Sequence, residues 1–337
     1  MRARPVFPGD VHLITRRVNA FRCRLRPGED VRSVVVYCLA RAARRHQIEV
    51  IAFAIMSTHL HLVVRDPKGV LPRFCHEFFP NASRALNFAQ ETGGVLFEPG
   101  SYRRQTLETA KAIYKEIAYT IANPVAAGLV NDPRRWPGLI TLPGDLGKRT
   151  YRARRPKFFR DPYVKSDGKI TGDADEREEH RKHNEPGSDP KEPMWDEESL
   201  TLSLPHLLPD GTSSKGRGAE VRKAAADWLA RELEQVHAER KAEGKTGWVG
   251  VDRVKRADPE KPYREDLDLR PTRGLNPQFA TQDRKAGREA DLSLRAWRAR
   301  YTEARVRWSG GDRRAVFPYG TWLAPRVWCA KVEPKPA

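Results

Sequence analysis

The chain has 337 residues and carries 62 Lys and Arg against 44 Asp and Glu, a formal net charge of +18 at pH 7. A charge this large favours a polyanionic partner and disfavours an enzyme of neutral metabolites. The four cysteines form no CxxC pair, which argues against a zinc knuckle or a disulfide scaffold. No run approaches the ~18 apolar residues of a membrane span, so we expect a soluble, cytoplasmic protein.

Strand and helix patterns alternate in the N-terminal part of the chain, with Pro27-Gly28 as a break after the first strand. Predicted strands cover residues 11–15, 48–55 and 59–64. Predicted helices cover residues 31–46, 71–90 with an interruption near Pro80, and 107–122. The second and third strands are joined by a short link, so they should pair with each other.

This element order is typical of an α+β fold in which helices pack on one face of an antiparallel sheet, and we assign it to residues 1–147. Residues 148–215 are rich in charge, Pro, Ser and Gly, which predicts a disordered linker. Helical spacing returns after it, so residues 216–337 are predicted to form a small, mainly helical, basic region. There, arginines alternate with Trp297, Tyr301 and Trp308, which fits either a nucleic-acid surface or a helix packed on its own core.

Two histidines lie two residues apart on the third predicted strand. Because alternate residues of a strand face the same side, His59 and His61 project together, while Leu60 and Leu62 face the other layer. This is the geometry of a metal-ligand pair, although a purely structural pair has the same spacing. Two imidazoles are too few for a closed zinc site, so a third ligand and open positions are expected.

The helix over 107–122 has a polar face opposite its apolar stripe. Tyr119 falls on that face, with Lys115 one turn before it and Asn123 one turn after it. Tyr114 lies on the apolar stripe and is predicted to be core. Alternatively, Tyr119 is merely exposed and Asn123 ends the helix before Pro124.

Two segments together carry a family resemblance: MSTHLHLVV over 56–64 and YTIANPVAAGLV over 119–130. In this order and at this separation they resemble the REP-associated tyrosine transposases, a branch of the single-tyrosine HUH transposases. The resemblance covers residues 5–145, including Trp136-Pro137 just after the second segment. It implies a ferredoxin-like sandwich with a central antiparallel sheet.

The resemblance also implies a function, that of a metal-dependent single-stranded DNA nickase and strand transferase acting on hairpin-containing DNA. Mg²⁺ or Mn²⁺ would be held by His59, His61 and Asn123, and Tyr119 would form a 5'-phosphotyrosine intermediate. A phenol with a pKa of ~10 costs on the order of 4 kcal/mol to ionise at pH 7, so a neighbouring cation must lower that cost. Lys115 is the candidate for this help.

The DNA itself is expected to be gripped by basic residues in or near predicted loops. These candidates are Arg16, Arg17, Arg22, Arg24, Arg103, Arg104 and Lys115. Tyr102 could stack on a base, whereas Phe97 is better explained as a core contact. Residues 97–104 match the family only approximately, so the DNA sequence preference is undetermined, and we favour a monomer over a homodimer.

Three other functions are compatible with parts of this pattern. A non-catalytic, domesticated DNA-binding relative would share every feature except cleavage. A histidine-triad nucleotide hydrolase also uses alternating histidines and needs no metal, but its third histidine would fall at Val63. A zinc deaminase would need a glutamate two residues after a histidine and a downstream cysteine pair, which this chain does not provide.

Overall fold

The structure is a computed structural model that describes residues 3–100, 102–159, 196–262, 279–281 and 283–336. Its main sheet has five strands, β1 (Val11–Arg17), β2 (Glu49–Ile55), β3 (His59–Arg65), β4 (Arg103–Leu107) and β7 (Phe279–Ala280). They lie in the order β2-β3-β1-β4-β7. All neighbours pair antiparallel except β4 and β7, which are parallel. None of the helices in these described ranges is long and apolar enough to cross a membrane.

The first two helices, α1 (Glu29–His46) and α2 (Leu71–Ala89), precede β2 and β4 respectively. The chain thus runs strand-helix-strand-strand-helix-strand, and its first four strands lie in the order β2-β3-β1-β4. This is the ferredoxin-like arrangement. The structure therefore has the α+β class predicted from the sequence.

Helices cover both faces of the sheet, which corrects the prediction of helices on one face only. Leu60 and Leu62 pack in the core with α1 and α2, whereas Val63 packs in a second core on the opposite face. That second core contains α3 (Ala110–Ala126) and α4 (Gly218–Ala242), which pack along each other. A sheet buried on both sides explains why β2 and β3 are almost continuously apolar.

Two prolines do not end their helices as the sequence suggested. α2 continues through Pro80, and α3 continues through Asn123 and Pro124 to Ala126. Proline removes one backbone donor, but the buried side chains of each helix hold the segment against the sheet, and tertiary packing overrides local propensity. Asn123 is consequently a helical residue with a fixed side-chain direction.

The ends of the predicted linker differ from the prediction. β5 (Thr150–Arg154) and β6 (Glu197–Thr201) form an antiparallel pair packed against α1. Their inward side chains Tyr151 and Leu200 are buried, and the Arg44 guanidinium bonds the buried Glu198 carboxylate at 2.9 Å. Alternating burial in short charged strands is a weak sequence signal. The rest of the predicted linker, 160–195, lies outside the described residues.

The C-terminal region is mainly helical where the structure describes it. Its remaining elements are α5 (Val251–Lys255), α6 (Arg284–Ser309), α7 (Leu323–Val327), β8 (Val316–Phe317) and β9 (Lys331–Val332). Trp297 stacks on Tyr301, and Tyr301 and Trp308 pack against the buried ring of Phe317. Of the two interpretations of the aromatic and arginine pattern in α6, the structure favours packing on its own core.

Candidate active site

The paired histidines occupy the α3-facing side of β3. Their ring centroids are 4.9 Å apart, and His61 is 4% exposed. Leu60 and Leu62 point into the opposite core, as the alternation of the strand predicts. Val63, where a histidine-triad enzyme would need its third histidine, is fully buried in the α3 core.

Helix α3 brings the asparagine to the histidines. The helix starts at Thr109, whose hydroxyl accepts a hydrogen bond from the Ala112 N–H at 3.1 Å. One turn before its end, the Asn123 Oδ1 lies 3.2 Å from His59 Nε2, and its Nδ2 lies 3.3 Å from His61 Nε2. One amide therefore bridges both imidazoles.

Two threonine hydroxyls orient the imidazoles from behind. Thr15 Oγ1 lies 3.2 Å from His61 Nδ1, and Thr58 Oγ1 lies 3.0 Å from His59 Nδ1. Since the Asn123 N–H donates to His61 Nε2, the His61 proton resides on Nδ1 and donates to Thr15. This tautomer leaves the His61 Nε2 lone pair in the site, whereas His59 donates from Nε2 to the Asn123 oxygen.

Both imidazoles are neutral at pH 7. Burial lowers the pKa of His59 to about 4, and the nearby Arg17 guanidinium adds to this, against the raising effect of the Asn123 hydrogen bond. Burial also lowers the pKa of His61 well below its usual range, with His59 and Arg17 acting in the same direction. Neutral imidazole is the form that binds metal ions.

Tyr119 lies at the same point with its ring open to solvent. The ring is 38% exposed and meets the His61 ring edge-on, with centroids 5.5 Å apart. Burial and the Glu116 carboxylate raise the pKa of the phenol, while a hydrogen bond from the Asn123 side chain and the charge of Arg17 lower it. Tyr114, by contrast, is fully buried, as expected of a core residue.

The two histidines, the two threonines and Tyr119 line a cavity of about 690 Å³. Four of the sequence-predicted basic residues also line it, namely Arg17, Arg103, Arg104 and Lys115. Among the cations, Arg17 lowers the pKa of the Tyr119 phenol, whereas Lys115 lowers the pKa values of Glu116 and Glu232. The cavity therefore combines two imidazoles, a phenol and several cations, and the Asn123 amide bonds the two imidazoles.

The structure corrects Arg24 as a candidate for binding DNA. Its side chain is buried and bonds Asn87, Gln90 and Thr92, and its Nε lies 3.4 Å from a Glu260 oxygen. A guanidinium enclosed in this way does not reach a phosphate in solvent. Arg22 also pairs with Glu260, at 3.1 Å.

Two other predicted contacts with DNA are turned towards the protein. Arg16 donates to the Gly100 carbonyl and lies over the rings of Phe79 and Phe97. Tyr102 stacks on Phe79, and Phe97 is 4% exposed, so Phe97 is a core contact as predicted.

Sequence reasoning missed several residues of the cavity. Thr15 and Thr58 orient the histidines, and Glu116 lies one turn before Tyr119 on α3. Helix α4 and the loop after it add Glu232, Arg240, Glu243 and Lys245. Glu116 could have been found from helical spacing, but the α4 residues depend on tertiary packing alone.

The donor set fits a divalent cation held by two imidazoles and an amide oxygen. Both Nδ1 atoms have hydroxyl partners, and such partners orient the rings of metal-binding histidines. His59 would need its proton on Nδ1, where the Thr58 hydroxyl can accept it. Elsewhere in the described ranges, no cluster of three or more His, Cys, Asp or Glu side chains suits a metal ion.

Comparison with known proteins returns solved structures only: no family model matches the chain, and no curated protein matches it. One similar structure is a REP-associated tyrosine transposase bound to a REP hairpin. It is 16% identical with a TM-score of 0.38, over 43% of this chain and 84% of that one. Another, from Deinococcus radiodurans and described as a proposed transposase, is 20% identical with a TM-score of 0.26, over 32% and 85%. Both are described as transposases.

Proposed function

We propose that this protein is a metal-dependent nickase and strand transferase of single-stranded DNA, a transposase that forms a 5'-phosphotyrosine link through Tyr119. One observation carries the proposal. The Asn123 amide bonds both imidazoles, and the Tyr119 ring meets the His61 ring edge-on at 5.5 Å, so the candidate metal ligands and the candidate nucleophile lie together. A histidine pair with a purely structural role would not need a partly exposed phenol beside it.

In this proposal, His59, His61 and Asn123 hold a divalent cation, Mg²⁺ or Mn²⁺. When bound, such a cation polarises the scissile phosphate as a Lewis acid. Imidazole nitrogens suit Mn²⁺ better than Mg²⁺, which prefers oxygen ligands. Mn²⁺ is therefore the better probe of this site.

The reaction needs one nucleophile, and no water molecule attacks the phosphorus. The Tyr119 oxygen attacks the phosphorus, a new oxygen–phosphorus bond forms, and the bond to the 3' oxygen breaks, which leaves a free 3'-hydroxyl. The Asn123 side chain and the Arg17 charge both lower the pKa of the Tyr119 phenol, which favours negative charge on its oxygen as the proton departs. Attack by a 3'-hydroxyl on the phosphotyrosine reverses the step and joins a new strand.

The charge of the cavity supports a nucleic acid as the substrate. Arg17, Arg103 and Lys115 line the same cavity as Tyr119, where they would contact phosphates on either side of the scissile one. The buried imidazole of His61 forms part of the wall, so the reacting phosphate has to enter the cavity. A strand free of its complement can do this, and the sequence resemblance implies a hairpin beside it.

The test uses a labelled oligonucleotide with a hairpin and single-stranded flanks, incubated with the full chain and Mn²⁺ and resolved on a denaturing gel. We expect a covalent protein–DNA adduct that is lost in EDTA and in Tyr119→Phe. Tyr114→Phe is the matched control, because its hydroxyl donates to the Leu207 carbonyl away from the cavity, and it should retain the adduct. An adduct in Tyr119→Phe would reject the nucleophile, and hairpin binding without any adduct would favour the non-catalytic relative.

A further inference from the structure

The proposed reaction gives no role to Glu116, an ionisable residue of the cavity. Glu116 lies three residues before Tyr119 on α3, so the two side chains are neighbours on one helix face, ~5–6 Å apart at their Cβ atoms. Both line the same cavity, and Glu116 is only partly exposed. Among the charged groups that shift the pKa of the Tyr119 phenol, Glu116 has the largest effect.

Helix α4 adds a second carboxylate beside the first. It packs along α3 and places Glu232 on the cavity wall. The negative charge of Glu232 raises the pKa values of both Glu116 and Tyr119. Burial raises the pKa of Glu116, the Lys115 charge opposes this and the Glu232 charge adds to it, and together they bring the pKa to about 7. The other titratable or charged groups lining the cavity are Arg4, Arg17, His59, His61, Arg103, Arg104, Arg240, Glu243 and Lys245.

The hydrogen bonds around Tyr119 indicate where its proton goes. The Asn123 oxygen already accepts from His59 Nε2, so it is not free to take the phenol proton. His61 Nε2 already accepts from the same amide, and His59 Nε2 donates to it. Among the carboxylates that line the cavity, Glu116 is the one that shares a helix face with Tyr119, one turn earlier, so it can accept the proton directly or through one water.

We propose that Glu116 is the general base of strand cleavage: its carboxylate takes the Tyr119 proton as the phenol oxygen bonds to phosphorus. The bond to the 3' oxygen breaks, and that oxygen takes a proton from solvent. In strand transfer the steps reverse, and Glu116 returns its proton to the phenol oxygen as the phosphotyrosine bond breaks. Glu232 raises the pKa of Glu116, so helix α4 contributes to the chemistry of the site. The inference rests on the proposed function.

The test is the pH profile of adduct formation with the hairpin oligonucleotide and saturating Mn²⁺. For the unmodified protein the rate should rise with pH and level off above an inflection near 7, where Glu116 becomes ionised. Glu116→Gln should slow adduct formation about 100-fold at pH 8 and remove this inflection, because an amide cannot accept the proton. Glu116→Asp should keep the inflection at a reduced rate.

Two further variants separate catalysis from structure. Glu232→Gln should move the inflection to lower pH, because a like charge beside Glu116 is removed. Glu234→Gln, an exposed position on the same helix outside the cavity, should leave the profile unchanged. Hairpin affinity and the melting temperature of Glu116→Gln should equal those of the unmodified protein.

The outcomes distinguish this inference from the proposed function. If the unmodified protein forms the adduct and Glu116→Gln follows the same pH profile at a similar rate, Glu116 is not the base and the proposed function stands. If Glu116→Gln is slow but keeps the inflection, another group accepts the proton. If the unmodified protein forms no adduct at any pH, both the proposed function and this inference fail.

Discussion

The Thr15 hydroxyl offers a precise test of how the proposed metal site is prepared. It lies 3.2 Å from His61 Nδ1, and it is the partner that keeps the His61 proton away from the site. Thr15→Val replaces the hydroxyl with a methyl group of similar size. The imidazole stays packed in β3, but its Nδ1–H loses its acceptor.

The expected cost follows from that lost bond. A buried N–H left without a partner costs about 1–3 kcal/mol. His61 can avoid this cost by moving its proton to Nε2, but this removes the lone pair that faces Asn123. A cation must then drive the proton back, so its affinity should fall roughly 10- to 100-fold, the usual effect of removing an outer-shell partner.

The assay is Mn²⁺ binding to the full chain, followed by electron paramagnetic resonance, together with the Mn²⁺ concentration that gives half-maximal adduct formation. Both should shift by the same factor in Thr15→Val, and the adduct rate should recover at saturating Mn²⁺. Thr106→Val is the matched control. Its hydroxyl lies 3.3 Å from the Nδ1 of His12, a buried histidine that does not line the cavity.

The reasoning would be refuted by equal Mn²⁺ dependence in Thr15→Val, Thr106→Val and the unmodified protein. A loss of adduct in Thr15→Val that saturating Mn²⁺ does not restore would also contradict it, since the hydroxyl would then act on something other than metal affinity.

Three predictions concern residues outside the metal-ligand set. Arg24→Ala should destabilise the fold by about 2 kcal/mol or more, because it removes several buried hydrogen bonds, yet leave the salt dependence of hairpin binding unchanged. Arg17→Ala should instead reduce the slope of log K against log salt by about one, because it lines the cavity as a phosphate contact; equal slopes in the two variants would contradict this. Burial raises the pKa of Glu77, but His46, Arg41 and Arg45 outweigh it and hold that pKa below its ordinary value of 4.5. Ionised Glu77 therefore adds to the free energy of unfolding above pH 4.5, and this stabilisation is lost as the pH falls through the lowered pKa of the folded protein. In Glu77→Gln, acid titration of the free energy of unfolding should not show this loss.

The central part of the fold was predictable from the sequence because its signals are local. The strands β1, β2 and β3 have apolar runs bounded by turns, and α1 and α3 have apolar stripes at helical spacing. β4 was missed because its sequence, RRQTL, is short and polar. Its place in the sheet comes from hydrogen bonding to β1, which no local pattern reports.

The site was predictable to the extent that spacing alone determines it. His59 and His61 share a face by strand alternation, and Tyr119 and Asn123 share a face by helical period, and the structure brings all four together. The hydroxyl of Thr15 depends on the register that places it opposite His61. Arg24 could not be identified as buried, because its acceptors lie more than sixty positions away along the chain.

The most direct test of the central claim is peptide mapping of the covalent adduct by mass spectrometry, after nuclease digestion of hairpin DNA trapped with Mn²⁺. We predict one modified peptide that contains Tyr119 and carries a nucleotide through its 5' phosphate. A nucleotide on a different residue, or attached through its 3' phosphate, would contradict the account.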